Sequence, residues 1–291
     1  MCNVLPRVAA IHDLSGFGRC SLTVIIPVLS SMGVQACPLP TAVLSTHSGG
    51  FGNFLFHDLT DCMADYSNHW KSLGIEFNCL YSGFLGSSGQ IDIVAKLFND
   101  LKTEEHQLIV VDPVMGDHGR LYKTYTQEMQ HKMKQLVGKA DIITPNLTEA
   151  YFLTEETYTE EPLGTQRMKP MLRKLSDLGP ETVVITGVKT DTGTYANLGY
   201  TRSSDTYWKV NYDCIPAQYP GTGDIFTSVL IGSLLLGEKL PLAMVRATGF
   251  VSLAVRTTYE YRTPEREGVL LEKVLNTLGN ELDSSTYETI D

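Results

Sequence analysis

Gly221-Thr222-Gly223-Asp224 runs directly into Ile225-Phe226-Thr227-Ser228-Val229-Leu230-Ile231-Gly232-Ser233-Leu234-Leu235-Leu236, an apolar stretch that reads as a buried helix. Small residues thus precede a helix N-terminus, and a carboxylate enters its first turn. That end of a helix carries unpaired backbone N–H groups and the positive pole of the dipole, so it suits an anion. Glycines let a phosphate approach the backbone closely. A carboxylate beside a bound phosphate can serve as a base for an attacking hydroxyl, so the pattern points to phosphoryl transfer to an alcohol. The same four residues also suit a plain turn with an Asp that favours the dipole, and the surrounding chain has to decide.

On the N-terminal side, β-type runs alternate with helical patterns. Strands are predicted at Arg7–Ile11, Val34–Cys37, Phe77–Tyr81, Leu108–Asp112, Asp141–Thr144 and Thr182–Thr186. Helices are predicted over Cys20–Met32, Gln90–Leu101, Gln127–Val137, from Thr148 to Leu153, and over Met168–Leu178. Thr194–Tyr200 and Tyr207–Tyr212 read as an antiparallel pair. Asp224–Leu236, Leu240–Tyr259 and Val269–Leu278 read as the closing helices. Short β-branched runs such as Leu108–Asp112 belong inside a parallel sheet. The alternation predicts an α/β fold with helices on both faces of a largely parallel sheet. No linker, repeat or low-complexity segment divides residues 1–291, which are read as one domain. Thr154–Gln166 is expected to be a surface loop, and the tail beyond Leu278, acidic from Asn280 to Asp291, is expected to fray.

The composition bounds the function. An apolar fraction of 43% supplies a large core, and a net charge of -10 argues against non-specific nucleic-acid binding. No apolar run is long enough to span a membrane, and the opening Met1-Cys2-Asn3-Val4-Leu5-Pro6-Arg7 has no secretory pattern. Cys2, Cys20, Cys37, Cys62, Cys79 and Cys214 are scattered, with no C-x-x-C pair, so neither zinc nor a disulfide framework is indicated. A reducing cytoplasm is the expected compartment.

Ligands in open α/β sheets bind beyond the carboxyl ends of the strands. Here those ends carry His12-Asp13-Leu14-Ser15-Gly16-Phe17-Gly18, Ser82-Gly83-Phe84-Leu85-Gly86, Asp112-Pro113-Val114-Met115-Gly116-Asp117, Thr144-Pro145-Asn146-Leu147-Thr148-Glu149 and Thr186-Gly187-Val188-Lys189. Taken singly they are weak: Asp-Pro is a common turn, and Thr-Pro-Asn-Leu-Thr-Glu also suits a capped helix start. Their ordered combination is more specific.

In that order the motifs resemble the ribokinase-like superfamily, in the branch of vitamin kinases that holds pyridoxal, pyridoxamine and hydroxymethylpyrimidine kinases. The resemblance runs from Ile11 to about Val255. It implies a three-layer αβα sandwich and an ATP-dependent kinase acting on a hydroxymethyl group of a heteroaromatic ring. By it, Asp224 is the general base, and Gly221, Thr222 and Gly223 form the anion hole. Asp112, Asn146 and Glu149 organise magnesium and the triphosphate, with Asp112 and Glu149 as the metal-side carboxylates. Asp117, Thr186 and Gly187 fall on the nucleotide side. Asp13, Ser15, His47, Ser48 and Phe84, together with Asp224, are the acceptor-side candidates, each of them also open to a loop or packing role. His12 and His118 are read as surface or hydrogen-bonded histidines. The resemblance also implies a homodimer and leaves a monovalent cation open.

Gly-Thr-Gly-Asp and Met115-Gly116-Asp117 resemble the pyridoxal kinases, whereas His12-Asp13-Leu14-Ser15-Gly16 is similar to the opening of the pyrimidine kinases. A vitamin B6 kinase is the leading expectation, with a hydroxymethylpyrimidine kinase as the alternative. A third reading is an inactive vitamer-binding protein. It is disfavoured because Asp112, Glu149 and Asp224 are all present.

Overall fold

The structure, a computed structural model, describes residues 5–102, 107–159, 161–162, 164–279 and 287–290. In chain order the elements are β1 (Arg7–Phe17), α1 (Leu22–Ser31), β2 (Gln35–Thr46), β3 (Phe56–Asp58), α2 (Thr60–Ser72), β4 (Cys79–Ser82), α3 (Ser88–Leu101) and β5 (Leu108–Val111). A small hairpin of β6 (Gly116–Asp117) and β7 (Arg120–Leu121) follows, then α4 (Gln127–Val137), β8 (Ile142–Ile143), α5 (Leu147–Thr154), α6 (Thr165–Ser176) and β9 (Thr182–Lys189). The chain closes with β10 (Tyr195–Thr201), β11 (Thr206–Tyr212), α7 (Thr222–Leu235), α8 (Leu240–Tyr261) and β12 (Glu288–Thr289).

One ten-stranded sheet has the order β12-β11-β10-β9-β8-β5-β4-β1-β2-β3. Pairing is parallel from β2 through β1, β4, β5 and β8 to β9, and antiparallel at both edges. The period of two along each strand divides its side chains between two cores. Ala9, Ile11, Leu80, Ile109, Val111, Val183 and Ile185 face a core built with α3, α4, α5 and α6. Val8, Ala10, Cys79, Tyr81, Val110 and Val184 face a second core built with α1, α7 and α8. The result is the three-layer α/β sandwich of the ribokinase-like fold.

Strand order reverses around β1. The chain leaves β1 through α1 on one face and reaches β2, and later leaves β4, on the other side of β1, through α3 on the opposite face. Adjacent strands whose connections depart to opposite faces leave a crevice at their carboxyl ends. His12 on β1 and Gly83 after β4 meet at that point.

Several local expectations are corrected. β1 and β2 extend well past Ile11 and Cys37, and β3 and α2 fill a region for which no element was anticipated. Alternation in β2 is interrupted by Pro38 and Pro40, and α2 is mostly exposed, which weakens both sequence signals. Val269–Leu278 is not an α-helix but 3-10 turns at Leu271–Lys273 and Leu275–Thr277. The reason is tertiary capture: the Leu270 N–H donates to Thr258 Oγ1 at 2.9 Å, while Val269, Leu271, Val274 and Leu278 are buried against the second core. The tail is not wholly frayed, because Glu288 and Thr289 pair with Lys209 and Trp208. Residues 280–286 and 291 of that call, and 160 and 163 of the Thr154–Gln166 loop, lie outside the described residues.

Leu230 is fully buried in α7, within the second core. Leu230→Ala is expected to cost about 2–5 kcal/mol. Urea unfolding should show a lower midpoint with an unchanged slope. A midpoint equal to that of the unsubstituted chain would mean that α7 does not carry this core.

Candidate active site

At the end of β1 the ladder with β2 shifts register between His12 and Leu14. Asp13 and Ser15 are buried there, and Leu14 faces outward. Asp13 is held by two hydroxyls: Ser15 Oγ donates to its Oδ2 at 2.9 Å and Ser21 Oγ to its Oδ1 at 2.6 Å. Burial pushes the Asp13 carboxyl above its ordinary range, against these hydroxyl bonds.

Ser21, the residue before α1, has φ 49, a left-handed backbone that costs energy in a non-glycine residue. This conformation aims its N–H at Asp224, whose Oδ2 accepts at 2.7 Å. Asp224 itself lies in the first turn of α7, so two helix N-termini face one carboxylate. Gly221 precedes that turn at φ 81, and a Cβ there would overlap the Arg19 carbonyl, so glycine is required on both counts. Thr222 turns its hydroxyl back to the Tyr219 carbonyl at 3.2 Å, so the hydroxyl is engaged within its own turn. Burial pushes the Asp224 carboxyl up to about 7; the Ser21 N–H opposes this and the charge of Asp13 adds to it.

A second group lies beyond β5 and β8. Asn146 and Glu149 form a capping box on α5: the Glu149 N–H donates to Asn146 Oδ1 and the Asn146 N–H to Glu149 Oε2, each at 2.9 Å. The Met115 N–H donates to Glu149 Oε1 at 3.1 Å, and Asn146 Nδ2 donates to the Gly116 carbonyl at 2.9 Å. Asp112 is buried nearby, and its Oδ2 lies 3.7 Å from where a Gly223 side chain would begin. Burial raises Asp112 well above the carboxylate range, with Glu149 and Asp224 adding charge repulsion, and burial pushes Glu149 to about 8. Two buried carboxylates, one raised by the charge of the other, suit a cation beside them. Among the described residues no cluster of three or more His, Cys, Asp or Glu forms a metal cage. A pair of carboxylates is what magnesium uses when substrate phosphates and water complete its shell.

Alongside runs a cleft of about 790 Å³. Asp117, Asn146, Thr186, Gly187 and Thr222 line it, so these sequence candidates share one cleft. Thr186 bridges to Asn146 in parallel fashion, and the Gly187 N–H donates to Asn197 Oδ1 at 3.1 Å. Sequence reasoning missed other lining residues, Ile215–Tyr219 before α7 and Val251 and Val255 of α8. Val251 and Val255 follow helical spacing, and nothing local distinguishes an apolar cleft wall from core.

The acceptor-side candidates divide. His47 packs against Gly18, its Nδ1 accepts from the Gly49 N–H at 3.1 Å, and Nε2 then donates to the Arg266 carbonyl at 2.6 Å. Both ring nitrogens are thus engaged: Nδ1 holds the local turn at Gly49, and Nε2 ties the end of β2 to the 264–268 turn. Ser48 is exposed, and Phe84 is half-buried, its carbonyl accepting from Thr41 Oγ1 at 3.3 Å. Asp13 and Ser15 are joined to Asp224 through Ser21; no such chain of hydrogen bonds joins His47, Ser48 or Phe84 to it among the described residues. His118 is exposed, as anticipated. His12 is the opposite of its expectation. It is fully buried, and neither ring nitrogen has a hydrogen-bond partner.

The family described as phosphomethylpyrimidine kinase matches residues 26–267. A protein from Bacteroides thetaiotaomicron VPI-5482, provisionally assigned as a phosphomethylpyrimidine kinase and solved with pyridoxal, is 48% identical with a TM-score of 0.94. That alignment covers 98% of this chain and 100% of the other. Pyridoxal kinase from Lactobacillus plantarum is 30% identical with a TM-score of 0.85, over 95% of this chain and 97% of that one. The pyridoxal kinase of Arabidopsis thaliana is 32% identical over 157 residues, or 52% of this chain, and the match spans about half of that relative, 48%.

The raised Asp224 carboxyl has a consequence for stability. Between its ordinary value of 3.8 and about 7, the folded chain keeps a proton that the unfolded chain has lost, so stability falls as pH rises through this window. Asp224→Asn removes that penalty. The ligand-free variant is expected to gain in Tm over the unsubstituted protein at pH 8 and much less at pH 4. An equal difference at the two pH values would place Asp224 outside this linkage.

Proposed function

Because the chain belongs to the phosphomethylpyrimidine kinase family of the ribokinase-like superfamily, we propose that it transfers the terminal phosphoryl group of ATP to the 5′-hydroxymethyl group of pyridoxal, pyridoxamine or pyridoxine. The observation that carries this reading is the Asp224 carboxylate, held at the N-terminus of α7 by the Ser21 N–H beside a glycine-rich backbone suited to an anion. The likeness to a Bacteroides protein solved with pyridoxal supports the choice of acceptor.

Asp224 takes the proton of the hydroxymethyl group. The freed oxygen attacks the terminal phosphorus, the bond from that phosphorus to the bridging oxygen breaks, and ADP departs. A base whose pKa lies near neutrality is matched to this task. Backbone N–H groups of residues 221–223 stabilise charge on the transferring group, which needs alignment and neutralisation more than covalent help. The cleft takes the nucleotide, with Val251 and Val255 against its apolar parts and Thr186, Gly187, Asn146 and Lys189 among its polar partners. Asp112 and Glu149 would hold magnesium, which supplies charge neutralisation on the triphosphate when bound.

The five free cysteines among the described residues support a reducing, cytoplasmic setting. Exposed apolar side chains along the β1–β2–β3 edge, Phe17, Val43, Leu55 and Phe56, support a homodimer built with a second copy of this one-domain chain.

Two outcomes test the reading. Asp224→Asn should lower kcat by about 10²-fold or more while nucleotide affinity is kept. Turnover within a few-fold of the unsubstituted enzyme would remove Asp224 as the base. With pyridoxal and hydroxymethylpyrimidine present at equal concentration, pyridoxal phosphate should dominate by at least about tenfold in kcat/KM, and Ser48→Ala should narrow that gap. Predominance of the pyrimidine phosphate would favour the other branch of the family, to which the His12–Gly16 segment is similar.

A further inference from the structure

His12 is a buried titratable group that the proposed chemistry leaves unused. Its ring is fully buried, and neither nitrogen has a hydrogen-bond partner among the described residues. Native interiors rarely tolerate this without a reason. The seat is built for the ring. A Cβ at Gly83 would overlap it, so residue 83 has room for glycine alone, and the edge of Tyr81 packs at 4.3 Å between centroids. The ring is thereby held at the carboxyl ends of β1 and β4, where strand order reverses. From there Nδ1 lies 3.8 Å from Asp224 Oδ1, while Asp224 Oδ2 is taken by the Ser21 N–H at 2.7 Å.

We infer that His12 is a positioning residue for the base: its Nδ1–H donates to Asp224 Oδ1 when acceptor and nucleotide close the site. This rests on Asp224 being the base. At 3.8 Å the contact is too long for a hydrogen bond, but catalytic hydrogen bonds are often long in ligand-free proteins and tighten around the reactants. Burial keeps the imidazole neutral by lowering its pKa to about 3, so it offers an N–H without bringing a positive charge to the base. With one donor on each oxygen, the carboxylate plane is fixed from β1 and from α1. A free lone pair remains for the proton of the hydroxymethyl group. Asp13 from β1 raises the Asp224 carboxyl; Cys20 before α1, Tyr81 on β4, Asp112 after β5 and Tyr122 after β7 also share its field. A neutral donor on Oδ1 counters that crowding.

The test compares His12→Leu, His12→Asn and Asp224→Asn in the full-length enzyme, assayed with pyridoxal and Mg–ATP across pH. His12→Leu should lower kcat by about tenfold, the loss of one hydrogen bond to a charged group, with KM for pyridoxal within about twofold. The acidic limb of its kcat profile should move to higher pH, because the ionised base has lost a donor. His12→Asn, whose amide nitrogen can occupy the place of Nδ1, should recover most of the turnover. The inference is overturned if His12→Leu keeps kcat and the acidic limb unchanged, or if His12→Asn is as impaired as His12→Leu. Should His12→Leu fail to fold, His12→Gln replaces it as the variant with a misplaced donor. Asn active and Gln impaired supports the inference, and equal behaviour of the two sinks it. If Asp224→Asn collapses turnover while His12→Leu does not, only this inference fails. If Asp224→Asn stays active, the base assignment itself fails.

Discussion

The Asp224 carboxylate lies in the first turn of α7 and accepts its hydrogen bond from Ser21, the residue before α1. The geometry of this contact sets much around it. Ser21 must hold φ 49 to aim its N–H, and its hydroxyl must hold Asp13 on β1 at 2.6 Å. Gly221 must lack a side chain because the Arg19 carbonyl stands against it. One strand and two helices from distant parts of the sequence are thus locked to a single charge. The strain of Ser21 and the burial of the carboxylate are costs of the kind that collect at functional sites. The second core, formed where α1, α7 and α8 pack on the sheet, offsets them.

Four carboxylates, those of Asp13, Asp112, Glu149 and Asp224, are drawn toward this region, and burial raises the pKa of each. Alone, such a cluster repels a triphosphate. The arrangement makes sense only with positive charge brought in or protons retained. Backbone N–H groups at helix N-termini supply part of it, and a divalent cation between Asp112 and Glu149 would supply the rest. The Asn146–Glu149 capping box shows how one set of residues serves two ends. The hydrogen bonds that start α5 also fix the direction of the Glu149 carboxylate. A helix-start reading and a carboxylate-site reading of that motif are therefore compatible.

The cleft and the Asp224 carboxylate occupy adjoining ground without merging. Thr222 lines the cleft, whereas Asp224, two residues on, turns toward Ser21 and His12. Two residues of the first turn of α7 thus face different neighbours from the same stretch of backbone.

Much of this was legible in the sequence. Runs such as Leu108–Val111 and Thr182–Ile185 are almost wholly β-branched and apolar, as strands buried on both faces are, and they announced the parallel sheet. Gly221-Thr222-Gly223-Asp224 announced its helix N-terminus because glycine and a first-turn carboxylate answer local backbone physics. Val269–Leu278 misled, since its apolar spacing suits a helix, whereas the Thr258 hydroxyl and the second core impose turns. β3 and α2 went unread because their faces are largely exposed and carry little pattern. His12 could not be read at all: a histidine in a strand has no periodic signature, and its burial follows from Gly83 and Tyr81, some 70 residues away. The sequence by itself determined the layered sheet, the helix N-terminus and the set of carboxylates, because each depends on neighbours in the chain. Only the tertiary structure decided which groups face Asp224, because those contacts arise where strand order reverses and distant segments are brought to one crevice.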